Sequence, residues 1–283
     1  MLLAFRALPQ YNSSSKQESG RGVMAMVNAE NIKTIVVDLD RTLLHTDKTL
    51  SAHTVQVLKK CKENGMRIMV ATARPLRTIS QYCELVDFDG IVVSNGARVI
   101  CKDRRTDHGI CRKRAERLLI ALSQHTALRI TLETGECAYS NKPVADYETV
   151  LSDNLAGVAK AEGALKILVT FSGEEALETV KANLSDDLYY TVSCGHLLQI
   201  MSKQATKWNG VKSVLCCYNI SPWEAVYFGD DNDDIEPIKM CGLGIAVSNG
   251  IDEVKAVADG IAESNDADGV AKFIEHNIIT KNK

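Results

Sequence analysis

IKTIVVDLDRTLL, residues 32–44, decides how the rest of the chain reads. Ile32 to Val37 is a short, mainly apolar run rich in β-branched side chains, and it breaks off at Asp38-Leu39-Asp40. A strand covered on both faces of a parallel sheet has that composition, since neither face meets water. Two acids one residue apart then place carboxylates at the carboxyl end of the strand, where open α/β sheets gather their ligands.

Working outward, the same alternation repeats. Ser51 is placed to cap a helix with Val55, Leu58 and Cys61 on one face, and Asn64-Gly65 ends it. RIMVA (67–71) is the next strand, followed by Thr72 and a helix opened by Pro75; Gly90 to Val93 is a third, ending in Ser94-Asn95-Gly96. After residue 203, Thr206 caps a helix with Trp208, Val211, Val214 and Leu215 inward. Ala225–Phe228 and Leu243–Val247 are strands, and Asp268 to His276 is a closing helix. Strands alternating with helices predict an α/β fold, a Rossmann-like parallel-sheet core with helices on both faces.

The middle of the chain has a different rhythm. A helix near 110–124 precedes strands at 128–133 and 136–140 joined through Thr134-Gly135. Then come a strand at 165–171, a helix at 174–184, and strands at 189–193 and 197–201. Two helices and about four mainly antiparallel strands predict an inserted α+β module. The expected division is a discontinuous core, 30–102 and 198–283, an insert, 103–197, and a disordered N-terminal extension, 1–29. That extension is polar and Ser/Gly-rich over QYNSSSKQESGRG (10–22); a transit peptide is the alternative.

Composition narrows the function. Of 283 residues, 45% are apolar and 24% charged, which excludes a wholly disordered chain. No run approaches the roughly 18 apolar residues of a membrane span, so no membrane partner is expected. Lys plus Arg number 33 against 36 acids, net −3, which does not suit a dedicated nucleic-acid binder. Nine cysteines in odd number, with no CxxC, read as reduced core thiols of a cytoplasmic protein.

Six aspartates in two clusters follow predicted strands: Asp38 and Asp40, then Asp230, Asp231, Asp233 and Asp234. Carboxylates so concentrated repel one another unless a cation is present, which points to a hard divalent ion such as Mg²⁺. A lysine at a helix start, Lys207, adds a partner for an anionic ligand. Lys203 competes for that part, and the helix signal directly after Lys207 favours the latter. Acid cluster, metal and lysine together indicate phosphoryl chemistry. His45 and His196 stand alone without ligand spacing and receive no site, and Arg74 and Asn95 are either structural or in contact with substrate.

At this point the chain resembles the haloacid dehalogenase superfamily, in its Cof-like branch with a type IIB cap. DLDRTLL (38–44) fits the family's DxDxT, and ATARP (71–75) its second motif with Thr72 in place. SNGA (94–97) and the lysine of ATKWNGV (205–211) follow. GDDNDDIEPIKMCGLGIAVSN (229–249) is similar to the fourth motif. The resemblance implies a Mg²⁺-dependent phosphatase of small phosphate esters, a sugar phosphate or related metabolite, with residues 103–197 as the cap. It implies Asp38 as nucleophile, Asp40 as acid and then base, and Lys207 as charge stabiliser. Leu39, Thr72, Ala73, Lys207 and Asp233 would surround the phosphate, and Asp38, Asp40 (through its carbonyl), Asp230 and Asp234 the metal. A phosphosugar mutase or a weakly catalytic phospholigand-binding protein are the alternatives; the chain is a monomer or a homodimer.

Two positions depart from the family pattern. Arg41 stands where Gly is common, and is expected to be exposed or cap-facing. Asp233 stands where Asn precedes the last Asp; Asn232 could slide into that place, but IEPIKMCGLGIAV fixes the register on Asp233. An ionised Asp233 can only accept hydrogen bonds and opposes a dianion, so the expectation is that Asp233→Asn raises turnover.

Overall fold

The computed structural model describes residues 31–145, 147–171, 175–193 and 196–279; the expected N-terminal extension lies outside them. The core is an eight-stranded sheet in the order β14 (Gly260–Ala262), β13 (Leu243–Val247), β12 (Ala225–Gly229), β1 (Thr34–Val37), β2 (Arg67–Ala71), β3 (Gly90–Val93), β4 (Arg98–Cys101), β5 (Arg104–Asp107). From β14 to β3 every pairing is parallel; β4 and β5 add an antiparallel hairpin at the edge. Strand β1 lies centrally, in parallel register with β12 and β2, and all four of its residues are buried.

Alternation of side chains explains why one apolar run serves two layers. Ile35 and Val37 pack with Ile68, Val70 and Phe228 on the face covered by α1 (Ala52–Glu63) and α9 (Gly269–Ile274). Val36, Met69, Ala71 and Tyr227 pack on the other face with α6 (Lys207–Cys217) and α7 (Ile235–Met240). Each fully buried aliphatic side chain contributes about 1.5–3 kcal/mol, so the two faces together hold β1 rigidly beneath the loop that follows it. Ser51 caps α1 and Thr206 caps α6, each accepting from a backbone N–H inside the first turn, as read from the sequence. Short helices α2 (Ser80–Val86) and α8 (Asp252–Lys255) complete the core.

The cap is a six-stranded sheet ordered β10 (Leu188–Ser193), β11 (Leu197–Ser202), β9 (Lys166–Thr170), β6 (Arg129–Glu133), β7 (Ala138–Ser140), β8 (Val150–Leu151). Helices α3 (Arg112–Ser123), α4 (Leu155–Glu162) and α5 (Glu175–Asn183) accompany it. One apolar cluster, including Leu118, Leu122, Ile130, Ile167 and Ile200, binds the sheet to its helices. The cap therefore has a core of its own. By strand pairing the crossings fall later than 103 and 197: β5 still belongs to the core sheet and β11 is wholly in the cap sheet. Helices α4, α7 and α8 and strands β4, β5, β8 and β14 were not anticipated.

The reading of the cysteines as reduced core thiols needs correction. Cys101 on β4 and Cys217 at the end of α6 form a disulfide across 116 residues of sequence. Cys61 and Cys241 are buried thiols outside the disulfide, but Cys111 and Cys216 are exposed. The bonded pair was hidden because the edge hairpin that carries Cys101 over α6 has little apolar pattern. The cysteines consequently give no support to a reducing compartment. Among the described residues no helix is long and apolar enough to cross a membrane.

Candidate active site

Asp38 leaves β1 in extended conformation and is buried. The chain then turns sharply over Leu39–Leu43, with Arg41 at φ 59°. That left-handed value explains why glycine is common there in the family pattern. Arg41 is exposed on this turn; its guanidinium donates to the carbonyl of Asn249 (2.9 Å) and stands 3.9 Å from Asp230. One residue further, the hydroxyl of Thr42 donates to Asp230 Oδ1 at 2.8 Å.

Lys207 enters from the first turn of α6. Its position depends on a close approach: Gly96, at φ 92°, lies so near the backbone of Thr206 that a Cβ would fall 2.1 Å from the Thr206 carbonyl oxygen. The ammonium, 3% exposed, contacts Asp38 Oδ1 (2.9 Å), Asp234 Oδ1 (2.7 Å) and Asp233 Oδ1 (3.1 Å). Burial disfavours its charge, but Asp233, Asp234 and Asp38 outweigh burial and hold it well above the ordinary lysine range. Lys203, the competitor, is exposed.

Asp234 is fully buried and fully bonded. Oδ1 accepts from Lys207 and from the Tyr227 hydroxyl (2.6 Å); Oδ2 accepts from the backbone N–H of Asp230 (3.0 Å) and Asp231 (3.1 Å). Gly229 makes room for it, since a Cβ there would lie 2.5 Å from Asp234 Cβ. Asn232 and Asp233 both border the cleft; Asn232 is exposed and bonds Asp231, whereas Asp233 meets Lys207 and Asn95. Tyr227 was missed: it is one more apolar-looking residue of a buried strand, and nothing local marks its hydroxyl.

Burial pushes the Asp38 carboxyl well above the usual range; Lys207 opposes this, while Asp234, Asp233 and Asp230 reinforce it. Asp230 is raised to about 6, first by burial and then by Asp234. Carboxylate oxygens of Asp38, Asp230 and Asp234 lie within 4.8 Å of one another. Buried oxygen donors of one sign, with acids outnumbering Lys207, fit a hard divalent cation. Because Asp234 has its oxygens taken, its place is to orient Lys207 and the loop around such an ion.

Asp40 has the opposite setting. Its carboxylate accepts two bonds from Arg74 (2.6 and 2.7 Å) and one from Lys48 (2.8 Å). Burial works against its charge, but these bonds prevail and lower it to about 2. Arg74 is thus a contact of Asp40, and Lys48, which the sequence did not single out, is another. Thr72 is buried at the end of β2, its hydroxyl accepting from the Arg74 N–H (3.2 Å).

Asp38, Asp40, Thr72, Ala73, Asp230, Asp233 and Lys207 line one cleft of about 670 Å³, closed on its far side by Tyr189, Thr191, Gln199 and Met201 of the cap. Leu39 lies beneath it, fully buried. Beyond Ala73 a second cavity of about 290 Å³ runs between core and cap, with Arg77, Glu133, Tyr147, Lys166 and Gln199 in its walls.

This arrangement has counterparts. The model of the haloacid dehalogenase-like hydrolase family matches residues 35–274. The chain belongs to that family. It is 26% identical over 261 residues to the 5-amino-6-(5-phospho-D-ribitylamino)uracil phosphatase of Bacillus subtilis, covering 85% of this chain and 96% of that one. A chloroplastic endoribonuclease YBEY of Arabidopsis thaliana is 28% identical over 267 residues; the match takes in 85% of this chain but 45% of that protein. A subclass IIB sugar phosphatase of the same superfamily superposes with a TM-score of 0.74 at 19% identity, over 86% of this chain and 98% of the other. The chain is a phosphatase with a Rossmann-like core and a type IIB cap.

Proposed function

We propose that this phosphatase hydrolyses small phosphate monoesters with Mg²⁺ through an aspartyl-phosphate on Asp38. The observation that carries the reading is the shared ammonium of Lys207, which fixes the Asp38 carboxylate beside Asp230 at the mouth of β1. Asp38 attacks phosphorus while the ester P–O bond breaks, and Lys207 balances charge gathering on the phosphoryl oxygens. Thr72, the backbone of Leu39 and Ala73, and Asp233 border the phosphate. Asp38, the Asp40 carbonyl and Asp230, with Asp234 behind them, would hold the cation, which when bound would add electrostatic stabilisation of the same charge.

Asp40 gives its proton to the leaving alcohol and then takes one from the attacking water. A carboxyl at about 2 is ionised at neutral pH, so Asp40 must leave Arg74 and Lys48 and take up a proton, from solvent or from the monoprotonated phosphate ester, before it can serve as the acid. An arriving phosphate, itself a ligand for both cations, is the competitor that releases it. The leaving group extends into the cavity between core and cap. There Arg77 is paired with Glu133 (2.7 and 3.0 Å) and Lys166 is bonded to Asn95, the Ala73 carbonyl and Gln199, so each charge already has partners and the lining suits a hydroxyl-bearing group. A phosphorylated sugar or polyol has that character, as do the ribityl phosphate named for the Bacillus relative and the sugar phosphate named for the subclass IIB neighbour.

A panel of phosphate esters assayed with and without Mg²⁺, beside the Asp38→Asn protein as blank, tests the reading. Mg²⁺-dependent turnover greatest on sugar or polyol phosphates is the expected result. Equal turnover by the blank, or a preference for bisphosphates and phosphorylated carboxylic acids, overturns it.

A further inference from the structure

A line of buried polar groups crosses from the cap to the catalytic lysine, and hydrolysis as set out above leaves its first members without a part. Lys166 opens β9 with 4% of its surface exposed. Its ammonium donates to Asn95 Oδ1, to the Ala73 carbonyl (3.3 Å) and to Gln199 Oε1 (3.2 Å). The other end of the Asn95 amide, Nδ2, donates to Asp233 Oδ2 at 2.7 Å. Asp233 Oδ1 in turn lies 3.1 Å from Lys207, which holds Asp38.

Each link is constrained. Asn95 sits at φ 56° in a turn whose next residue, Gly96, is wedged against Thr206; asparagine tolerates that left-handed backbone better than most residues. Its amide has one sensible orientation, oxygen to the ammonium and nitrogen to the carboxylate, because the reverse sets donors against a cation. A buried lysine needs anions, and those facing Lys166 are Glu133 and Asp233, with Lys207 opposing. Glu133 is already shared with Arg77.

We infer that Lys166 is a positioning residue in the cap, matched to the aspartate at position 233. The aspartate that departs from the family pattern adds negative charge to an already acidic rim. Lys166 offsets that charge from across the junction and, through Asn95, fixes the carboxylate so that Lys207 stays shared with Asp38. An asparagine at 233 would need no such cation. Asp233→Asn alone therefore lowers kcat/KM, opposite to the direction expected from the sequence, because it strands Lys166.

The inference rests on the phosphatase reading, and a double-mutant cycle separates the two. Wild type, Lys166→Met, Asp233→Asn and the double variant are compared on p-nitrophenyl phosphate, whose small leaving group puts little weight on cap specificity. Each single change is expected to lower kcat about tenfold with KM little moved, while Lys166→Met costs less than about twofold once residue 233 is Asn. An equal factor for Lys166→Met with Asp or Asn at 233 overturns the inference while leaving the phosphatase intact. If wild type itself turns over no faster than Asp38→Asn, the phosphatase reading has failed, and the thermal midpoints of the same four proteins decide: both singles lowered with recovery in the double supports the pair, additive losses refute it. Should Lys166→Met not fold, Lys166→Gln takes its place in the cycle.

Discussion

The core and the cap both bury charge, and they do it with opposite balance. At the rim of β1, Asp38, Asp230, Asp233 and Asp234 crowd around the single buried ammonium of Lys207. Across the junction the cap sets Glu133 against Arg77 and gives Lys166 neutral acceptors as well as anions. An excess of one sign in low dielectric is stable only with a partner supplied from outside, whereas a balanced lining asks for none. The core side thus suits the cation and phosphate proposed above, and the cap side the hydroxyl-bearing group proposed to leave.

The largest effects should come from the unbalanced side. Replacing Asp38 by Asn retains the shape and removes the attacking oxygen's charge, so turnover should fall to background with far-UV dichroism unchanged. Residual activity within about tenfold, a barrier change of about 1.4 kcal/mol, would show that the charge excess serves something else. Chelation comes next. EDTA should abolish activity, Mg²⁺ restore it, and Ca²⁺ restore it poorly because its looser coordination misplaces the carboxylates; undiminished activity in chelator would break the contrast altogether.

Tyr227→Phe sharpens it further. The variant deletes one donor to Asp234 without adding volume, leaving that carboxylate to draw more heavily on Lys207. A stability loss of about 1–2 kcal/mol with a several-fold fall in kcat is expected from denaturant melts and steady-state kinetics. A loss of stability alone would make the hydroxyl purely structural.

The effect expected to touch turnover least at neutral pH belongs to the cap. Burial lowers Lys166 to about 8, with Glu133 and Asp233 resisting and Lys207 assisting. Between that value and the ordinary lysine pKa of about 10.4, the folded chain binds fewer protons than the unfolded one. Stability relative to Lys166→Met therefore rises with pH across this window and is flat below it, by on the order of 1–3 kcal/mol. A parallel pH profile for the two proteins would mean that burial does not depress the Lys166 ammonium.

How much of this was legible depended on whether burial left a pattern. Strand β1 announced itself because all four residues are covered, and the aspartates after it could be placed at once. Strand β5, Arg-Arg-Thr-Asp, is exposed along its whole length and so carries no periodic signal; the edge hairpin it forms with β4 went unread, and with it the approach of Cys101 on β4 to Cys217. Asp38, Thr72, Asp230, Asp233 and Lys207 were found through their place after predicted strands and through the family resemblance, and they fall in one cleft. Tyr227, Lys48 and Lys166 were not, since each acts through a contact made by tertiary folding, at 7 residues (Tyr227 to Asp234), 8 residues (Lys48 to Asp40) and 71 residues (Lys166 to Asn95) of separation.

Where the chain leaves the core and where it returns are neighbours. Gly96 touches Thr206, the His108 N–H donates to the Ala97 carbonyl, and Ala97, Leu165, Met201 and Ala205 form one small apolar joint. An insert whose ends meet in this way is a plug with a single socket: it can be lengthened, shortened or traded for another without rerouting any strand beneath it. Such grafting would change which ester is cleaved while the chemistry stays with the host. The socket is keyed, however, because Asp233 belongs to the host and Lys166 to the plug, so a foreign cap lacking that lysine should be accepted best by a core that carries asparagine.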